Sequence, residues 1–481
     1  MQVDAKDTDR ELSPVEDQGK GADRELSPEK GPSDKDVSGN AVVVLPGDVK
    51  KVIKTLEDAG YHAFAVGGCV RDSFMGRKPQ DWDITTSAKP EEIKKVFKRT
   101  VDTGIKHGTV TVLIDKRGYE VTTFRIDGEY TDQRHPDNVT FTEDLEEDLR
   151  RRDFTINAMA WSDSKGLVDI YGGTEDLKRG LIRAVGDPYE RFGEDALRIL
   201  RAVRFSAQLG FEIEEQTQMA AGQLSYTIAA VSAERIREEL MKILVSDRPY
   251  YLKKAWELGI TAAVMPELDR CMECGQNNPH HMYSVGEHIL HSMENIASDP
   301  VLRLTMLFHD MGKPEKKTVD KDGITHNKGH AEVSAKIADE VLHRLKFDNA
   351  TISSVTRLVK WHELRLPEDR TAVRRAVNKV GEDIFPLLFP VKIADTMAQS
   401  DYKRAEKLAH CARIKAIYEE IKRDGDPVTL KDLAVKGQDL KDAGVAPGPD
   451  MGRMLGDMLN EVLDDPSKNN RDYLIGRYVG K

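Results

Sequence analysis

Asp81 and Asp83 stand two apart in Asp81-Trp82-Asp83, at the start of a stretch, Asp81–Thr85, that reads as a strand. Side chains alternate across a strand, so both carboxylates would project from one face. Two carboxylates so placed suit a hard divalent cation such as Mg²⁺, which takes oxygen ligands. An ion held there against a nucleoside triphosphate would activate an attacking hydroxyl and neutralise charge on the leaving pyrophosphate. Upstream, a short apolar run ends in Gly67-Gly68 and opens a helix bearing Arg71 and Asp72. Glycine lets backbone approach a phosphate, and a helix start offers free N–H groups. Downstream, Glu120 on another strand is a candidate third carboxylate. An Asp-x-Asp alone is more often an ordinary surface pair; the glycine turn is what favours nucleotidyl transfer.

Such a site needs a sheet. His62–Val66, Asp81–Thr85, Thr109–Ile114 and Tyr119–Phe124 run apolar or alternate in the manner of strands. Helices are expected over Asp48–Ala59, with Val52, Ile53 and Leu56 inward, from Val70 to Met75, and over Pro90–Arg99, with Ile93, Val96 and Phe97 inward. After Lys178 the chain keeps a helical period, broken at Gly186-Asp187-Pro188 and Met265-Pro266. The fold class is therefore α+β: an acidic tail at 1–40, then a small mixed-sheet head followed by a long helical body.

Composition narrows the class. A chain of 481 residues has room for two to four domains of roughly 100–200 residues. Residues 1–40 are too poor in apolar side chains to offset ordering entropy, so disorder is expected there. Asp-Arg-Glu-Leu-Ser-Pro occurs at 9–14 and again at 23–28, too few copies for a repeat fold. No apolar run approaches the ~20 residues that span a bilayer, and no apolar leader is present. Four cysteines, Cys69, Cys271, Cys274 and Cys411, fit a reducing cytoplasm better than a disulfide framework. A net charge of −11 gives no general pull on nucleic acid, so RNA would need local basic patches such as Lys94, Lys95, Lys98 and Arg150–Arg152.

Gly67-Gly68-Cys69-Val70-Arg71-Asp72 followed by Asp81-Trp82-Asp83 resembles the signature of polymerase β-type nucleotidyltransferases. Three further motifs narrow it: Lys106-His107-Gly108-Thr109-Val110, the run from Arg151 to Ala158, and Glu194-Asp195-Ala196-Leu197-Arg198 continuing to Phe205. Together they are similar to bacterial class II CCA-adding enzymes and the related poly(A) polymerases, closely from Val66 to Phe211 and more loosely beyond, including Gly437–Met451. The resemblance implies a head at 41–178, a helical neck at 179–270, a helical body at 271–400 and a helical tail at 401–481, with a sheet in the head alone, and Mg²⁺-dependent, template-independent addition of CCA to tRNA from CTP and ATP. It also implies nucleotide contacts at Gly67, Gly68, Arg71, Asp72, Arg152, Asp153, Asn157, Asp195, Arg198, Arg201 and Arg204.

The choice of C and A has a physical reading. Asp195 and Arg198 are three apart, hence on one face of a helix over Glu194–Phe205. Cytosine and adenine both present an amine donor beside a ring-nitrogen acceptor, which a carboxylate and a guanidinium complement. Guanine and uracil present the opposite pattern. The polar stretch Arg125–Glu147 resembles the loop that CCA-adding members use in switching from C to A. A poly(A) polymerase or A-adding enzyme is the nearest alternative, which the mixed charges of Asp464, Asp465, Lys468 and Arg471 disfavour.

A second group comprises His288, His309-Asp310 and Asp395, with His330 and His362 between them. Adjacent His-Asp inside Leu307–Gly312 resembles the HD metal-dependent phosphohydrolases. That resemblance implies a divalent metal, for which Mn²⁺, Ni²⁺, Fe²⁺ and Mg²⁺ are all chemically suited, and action on 2′,3′-cyclic or 2′-phosphate tRNA ends. A decayed site kept for packing or RNA contact is the alternative. An HD enzyme with a dead head is opposed by the intact Asp81/Asp83 pair, and a non-catalytic RNA binder by the acidic charge. Cys271 and Cys274, even with His280 or His281, read as free thiols before they read as a zinc site.

Overall fold

A computed structural model describes residues 43–127 and 139–479. The acidic tail at 1–40 and the middle of the Arg125–Glu147 segment lie outside them. Among the described residues the head has nine strands: β1 (Ala63–Val66), β2 (Ile84–Thr86), β3 (Thr100–Gly104), β4 (Thr109–Ile114), β5 (Arg117–Thr123), β6 (Arg125–Asp127), β7 (Val139–Phe141), β8 (Ala160–Ser162) and β9 (Gly166–Val168). Seven form one sheet in the order β3-β4-β5-β2-β1-β8-β9, while β6 and β7 pair with each other. Only β2 and β5 run parallel within the large sheet; its other neighbours are antiparallel.

Strand β1 is buried along its whole length, which explains why Ala63–Val66 reads as an unbroken apolar run and not an alternating one. On one face lie α1 (Gly47–Asp58), α2 (Gly68–Phe74) and α3 (Pro90–Val96). Helix α1 turns Val49, Val52, Ile53 and Leu56 inward; α3 starts on a proline, with Glu92 bonding back to the Lys89 amide at 2.7 Å, and buries Ile93. Full burial of each such side chain contributes about 1.5–3 kcal/mol. The other face holds Phe64, Val66, Phe124, Leu149 and Val185, Leu149 coming from α4 (Leu145–Arg150).

The acids do not lie within the strand expected for them. Strand β2 begins at Ile84, and Asp81-Trp82-Asp83 is the extended lead-in to it. The ladder stops because β1 stops. The Asp83 carbonyl still accepts from the Val66 amide at 3.0 Å, but at Gly67 the partner chain turns away with φ +81°.

Past the sheet come α5 (Gly173–Arg179), α6 (Pro188–Glu194) and α7 (Leu197–Leu209). The expected continuous helix over Glu194–Phe205 is broken at Asp195-Ala196. Gly193 weakens the end of α6, and Asp195 opens α7 by accepting the Leu197 amide on Oδ1 at 3.1 Å, as an N-terminal aspartate does. Neck and body share one apolar core running from Phe154 to Ala394. Two short ladders interrupt the helical remainder, Leu181–Ile182 with Glu212–Ile213 and Thr318–Val319 with Thr325–His326. Leu433, Val435, Leu440, Met458, Val462 and Leu474 form a separate C-terminal core. Among the described residues no helix is long and apolar enough to cross a membrane.

Candidate active site

Strand β2 runs parallel to β5 with Ile84 opposite Val121, so one step earlier Asp83 stands beside Glu120. Both flanking apolar residues are buried and both acids exposed, which places the acids on the same, open face. Asp81, two residues back, shares that face and acts electrostatically on Asp83. Protein surrounds Asp83 on most sides while leaving it a line to solvent. Burial pushes its carboxyl above the usual value and Asp81 adds to the rise, against Arg152, which pulls it down. Among the described residues, no hydrogen bond or ion pair ties up the side chains of Asp81, Asp83 or Glu120. Three uncommitted carboxylates thus lie at one end of the β2–β5 pair, without their oxygens closing into a cluster as tight as 4.8 Å.

The Gly67 turn forms the adjoining wall. A Cβ built on Gly67 would lie 3.0 Å from Arg152 Nη1, so the guanidinium packs directly on the glycine. Arg152 Nε is buried without a hydrogen-bond partner. Gly68 leads into α2, where Arg71 bonds Asp72 Oδ1 through Nε at 2.9 Å and Nη2 at 2.8 Å.

From Arg71 a chain of polar contacts crosses to the neck. Arg71 Nη1 donates to Asn157 Oδ1 at 2.7 Å, and Asn157 Nδ2 donates to Asp153 Oδ1 at 3.0 Å. Asp153 Oδ2 accepts from Arg201 Nε and Nη2 at 2.8 and 2.5 Å. Arg201 continues to buried Glu239 at 3.7 Å, and Glu239 reaches Arg204 at 2.9 Å in an ion pair that is not a directed hydrogen bond. Burial raises the Asp153 carboxyl, but Arg201 and Asn157 outweigh it and hold it well below the ordinary range. Arg204 is lowered to about 10 by burial and by Arg201. Phe205 lies under all three cations, its ring centroid 5.2 Å from Arg71, 5.4 Å from Arg201 and 3.8 Å from Arg204.

Asp195 and Arg198 do not face each other as a pair on one helix turn. Asp195 Oδ2 holds Arg235 at 2.7 Å. Arg198 donates through Nη1 to Glu194 at 2.5 Å and to the Arg191 carbonyl at 3.0 Å, and through Nη2 to the Arg151 carbonyl at 2.9 Å. Nε–H and one Nη2 proton remain to it.

Sequence reasoning missed Asp148. This wholly buried acid from α4 accepts Arg151 Nε and Nη2 at 3.0 and 2.8 Å and Thr85 Oγ1 at 3.1 Å, with Arg152 Nη2 at 3.4 Å. It ties the arginine motif to β2. Glu239 and Arg235 were missed as well. The charged face of an amphipathic helix gives no sign that its partner lies some forty residues away.

In the body, His288, His309, Asp310 and Asp395 converge within 4.8 Å of one another, and Asp310, His330 and His362 form a second such group. Asp310 and Asp395 sit well below the usual carboxylate range, against their burial, because imidazoles and, for Asp310, Lys313 face them. Cys271 and Cys274 are free and enter neither group.

A mixed sheet presenting three open carboxylates beside a glycine turn, backed by a helical neck that supplies arginines, defines a nucleotidyltransferase of the polymerase β type. Matching family models are the poly(A) polymerase head domain over residues 63–183, the RNA- and SrmB-binding site of polymerase A over 210–272, and tRNA nucleotidyltransferase domain 2 over 329–476. The chain belongs to the family of CCA-adding enzymes. It is 37% identical to the CCA-adding enzyme of Levilactobacillus brevis, over 89% of this chain and 96% of the relative. It is 36% identical to that of Limosilactobacillus fermentum, over 90% and 97%. Among solved structures, the Bacillus stearothermophilus CCA-adding enzyme in complex with CTP matches with a TM-score of 0.65 and 27% identity, covering 89% of this chain and 96% of that one. The Thermotoga maritima enzyme complexed with tRNA shares the fold at a TM-score of 0.53 and 21% identity, over 90% and 95%.

Proposed function

We propose that this chain adds C, C and A in turn to the 3′ end of tRNA, using CTP and ATP, in the cytoplasm. The observation that carries the proposal is the placing of Asp83 beside Glu120 at the open end of β2 and β5, with Asp81 acting on Asp83 and the Gly67 turn adjoining. An all-oxygen donor set fits Mg²⁺, which when bound would activate the primer hydroxyl and offset the charge of pyrophosphate. Asp81 and Asp83 would hold it, with Glu120 close by.

The remaining residues bind and orient. Arg152, whose guanidinium packs on Gly67, takes the triphosphate against the glycine backbone. Directed bonds from Arg71 and Asp72 through Asn157 and Asp153 to Arg201, extended by ion pairs through Glu239 to Arg204, hold the head against the neck. Glu194 and two carbonyls fix the plane of Arg198, leaving it donors for a ring nitrogen, while Asp195 keeps lone pairs for an exocyclic amine. Residues 41–178 act as the head, 179–270 as the neck, 271–400 as the body and 401–481 as a tRNA-gripping tail.

Truncated tRNA lacking its last three nucleotides, incubated with Mg²⁺ and each labelled triphosphate, tests this reading. Two C additions followed by one A support it. Long A tails would instead identify a poly(A) polymerase, and no incorporation would overturn nucleotidyl transfer altogether.

A second activity is favoured by the body cluster. His288, His309, Asp310 and Asp395 would hold a divalent metal of the HD type and act on 2′,3′-cyclic or 2′-phosphate RNA ends. The four ligand atoms lie within 4.8 Å of one another.

A further inference from the structure

We infer that Arg235 governs nucleotide choice without touching the nucleotide, by holding the Asp195 carboxylate away from Arg198; this rests on the base-reading roles given to those two residues above. Asp195 and Arg198 carry opposite charges three positions apart at the start of α7. Such neighbours attract and pair across a helix turn. A closed pair would spend on itself the acceptor and the donors meant for a base. Among the described residues, however, no side-chain hydrogen bond or ion pair joins the two. Each is bonded crosswise instead. Arg198 Nη1 donates to Glu194 at 2.5 Å, and Arg235 Nη2 donates to Asp195 Oδ2 at 2.7 Å.

Arg235 is fixed in place by its own helix. It stands in the first turn of Ala233–Leu244, which packs on α7 and buries Ile236, Leu240, Ile243 and Leu244. Glu239, four residues on and hence on the same face, is buried and paired with Arg204 at 2.9 Å. The helix is thus tied to α7 at two successive turns. The Arg235 and Asp195 side chains keep only 22% and 14% exposure, so water competes little for their bond.

The carboxylate is held through both oxygens. Oδ1 accepts the Leu197 amide at 3.1 Å and Oδ2 accepts Arg235, which fills two of its roughly four acceptor positions. Rotation about the Cβ–Cγ bond would break both contacts. The remaining lone pairs therefore keep a set direction. They accept an exocyclic amine and repel the carbonyl that uracil and guanine put in the same place. Without Arg235 only the Leu197 amide opposes a turn toward Arg198. A carboxylate paired there neither attracts the amine nor repels the carbonyl, so both halves of the discrimination fall together.

The test compares kcat/KM for CTP and for UTP in the full-length chain, on tRNA lacking its last three nucleotides. Arg235→Met should lower the CTP-to-UTP ratio about 10-fold or more, chiefly through a higher KM for CTP. Arg235→Lys, which keeps the charge and one donor line, should recover part of the loss. With Asp195→Ala already in place, Arg235→Met should change the ratio by less than about 2-fold, because two residues acting as one unit are not additive. Inhibition by inorganic tripolyphosphate, which needs the head's cleft alone, should be equal in every variant and shows that each has folded. Should Arg235→Met lose that inhibition, Arg235→Gln, shorter and uncharged, carries the test with the same expected fall. Rates for CTP and UTP that drop alike overturn the inference, since Arg235 is then only structural. A full effect of Arg235→Met without Asp195 overturns it too, since Arg235 then meets the base itself. An unchanged ratio in Asp195→Ala overturns the base-reading role beneath the inference, whereas a changed one with Arg235→Met at the wild-type ratio overturns the Arg235 role alone.

Discussion

Asp148→Asn removes one charge from the centre of the head while keeping the side-chain shape. Asp148 is fully buried and accepts two bonds from Arg151 and one from Thr85, with Arg152 beside it. Asparagine can still accept from Thr85, but its amide must then point at a guanidinium. Removing one partner of a buried ion pair costs about 3–5 kcal/mol. The lower end applies here, because the Arg151 and Arg152 side chains keep 17% and 19% exposure and can partly rehydrate. A loss of about 3 kcal/mol lowers the head's melting temperature by roughly 6–12 °C, at 2–4 °C per kcal/mol for a unit of this size. The same change should raise KM for CTP, since Arg152 loses its anchor.

The pH dependence has a definite sign. Burial raises the Asp148 carboxyl, but Arg151 and Arg152 outweigh it and leave it below its ordinary value of 3.8. Its stabilisation is therefore complete above that value and is lost as pH falls through the lower folded value. Calorimetry from pH 3 to 7 should show the wild-type advantage constant at neutral pH and shrinking only at the acid end. An Asp148→Asn protein with unchanged melting and unchanged KM would refute the assignment of Asp148 as a positioning residue.

Three further outcomes are expected. Asp81→Ala should cut nucleotide transfer by several kcal/mol of barrier, roughly 10³-fold or more, with an unchanged circular dichroism spectrum; residual rates near wild type count against the carboxylate site. Arg198→Ala should lower discrimination between CTP and UTP by about 10- to 100-fold, the equivalent of roughly 1–3 kcal/mol, while slowing CTP transfer less, as competition assays would read. Gly67→Ala meets a backbone conformation disfavoured for any Cβ and an Arg152 atom 3.0 Å away. It should cost about 1–3 kcal/mol and raise KM for triphosphate, read by thermal melts and steady-state rates.

Much of the head was legible because its chemistry is local. Thr109–Ile114 emerged as β4 with the expected ends, and the expected α1 and α3 turn their expected faces inward. Asp81 and Asp83 share a face, yet as the approach to a strand that ends early, because the length of a strand depends on its partner and the partner turns at Gly67. The break at Asp195 was readable in principle: aspartate after glycine is a helix-start signature, overridden by the attraction of one long helical period. Asp148, Glu239 and Arg235 were not legible. Their roles come from partners distant in sequence, and nothing in helical spacing distinguishes a buried ion pair from a solvated face. For His330 and His362 the reverse held. The residues were visible between the expected ligands, but only the folded chain shows Asp310 turning its second oxygen toward them.

CTP carrying sulfur at a non-bridging α-phosphate position probes the carboxylate-held cation itself. Hard Mg²⁺ avoids sulfur, whereas softer Mn²⁺ or Cd²⁺ accepts it. If Asp81 and Asp83 hold an ion on the reacting phosphate, one diastereomer should transfer slowly in Mg²⁺ and recover when Mn²⁺ or Cd²⁺ is supplied. Equal rates for sulfur and oxygen substrates in every metal would contradict a cation at that phosphate.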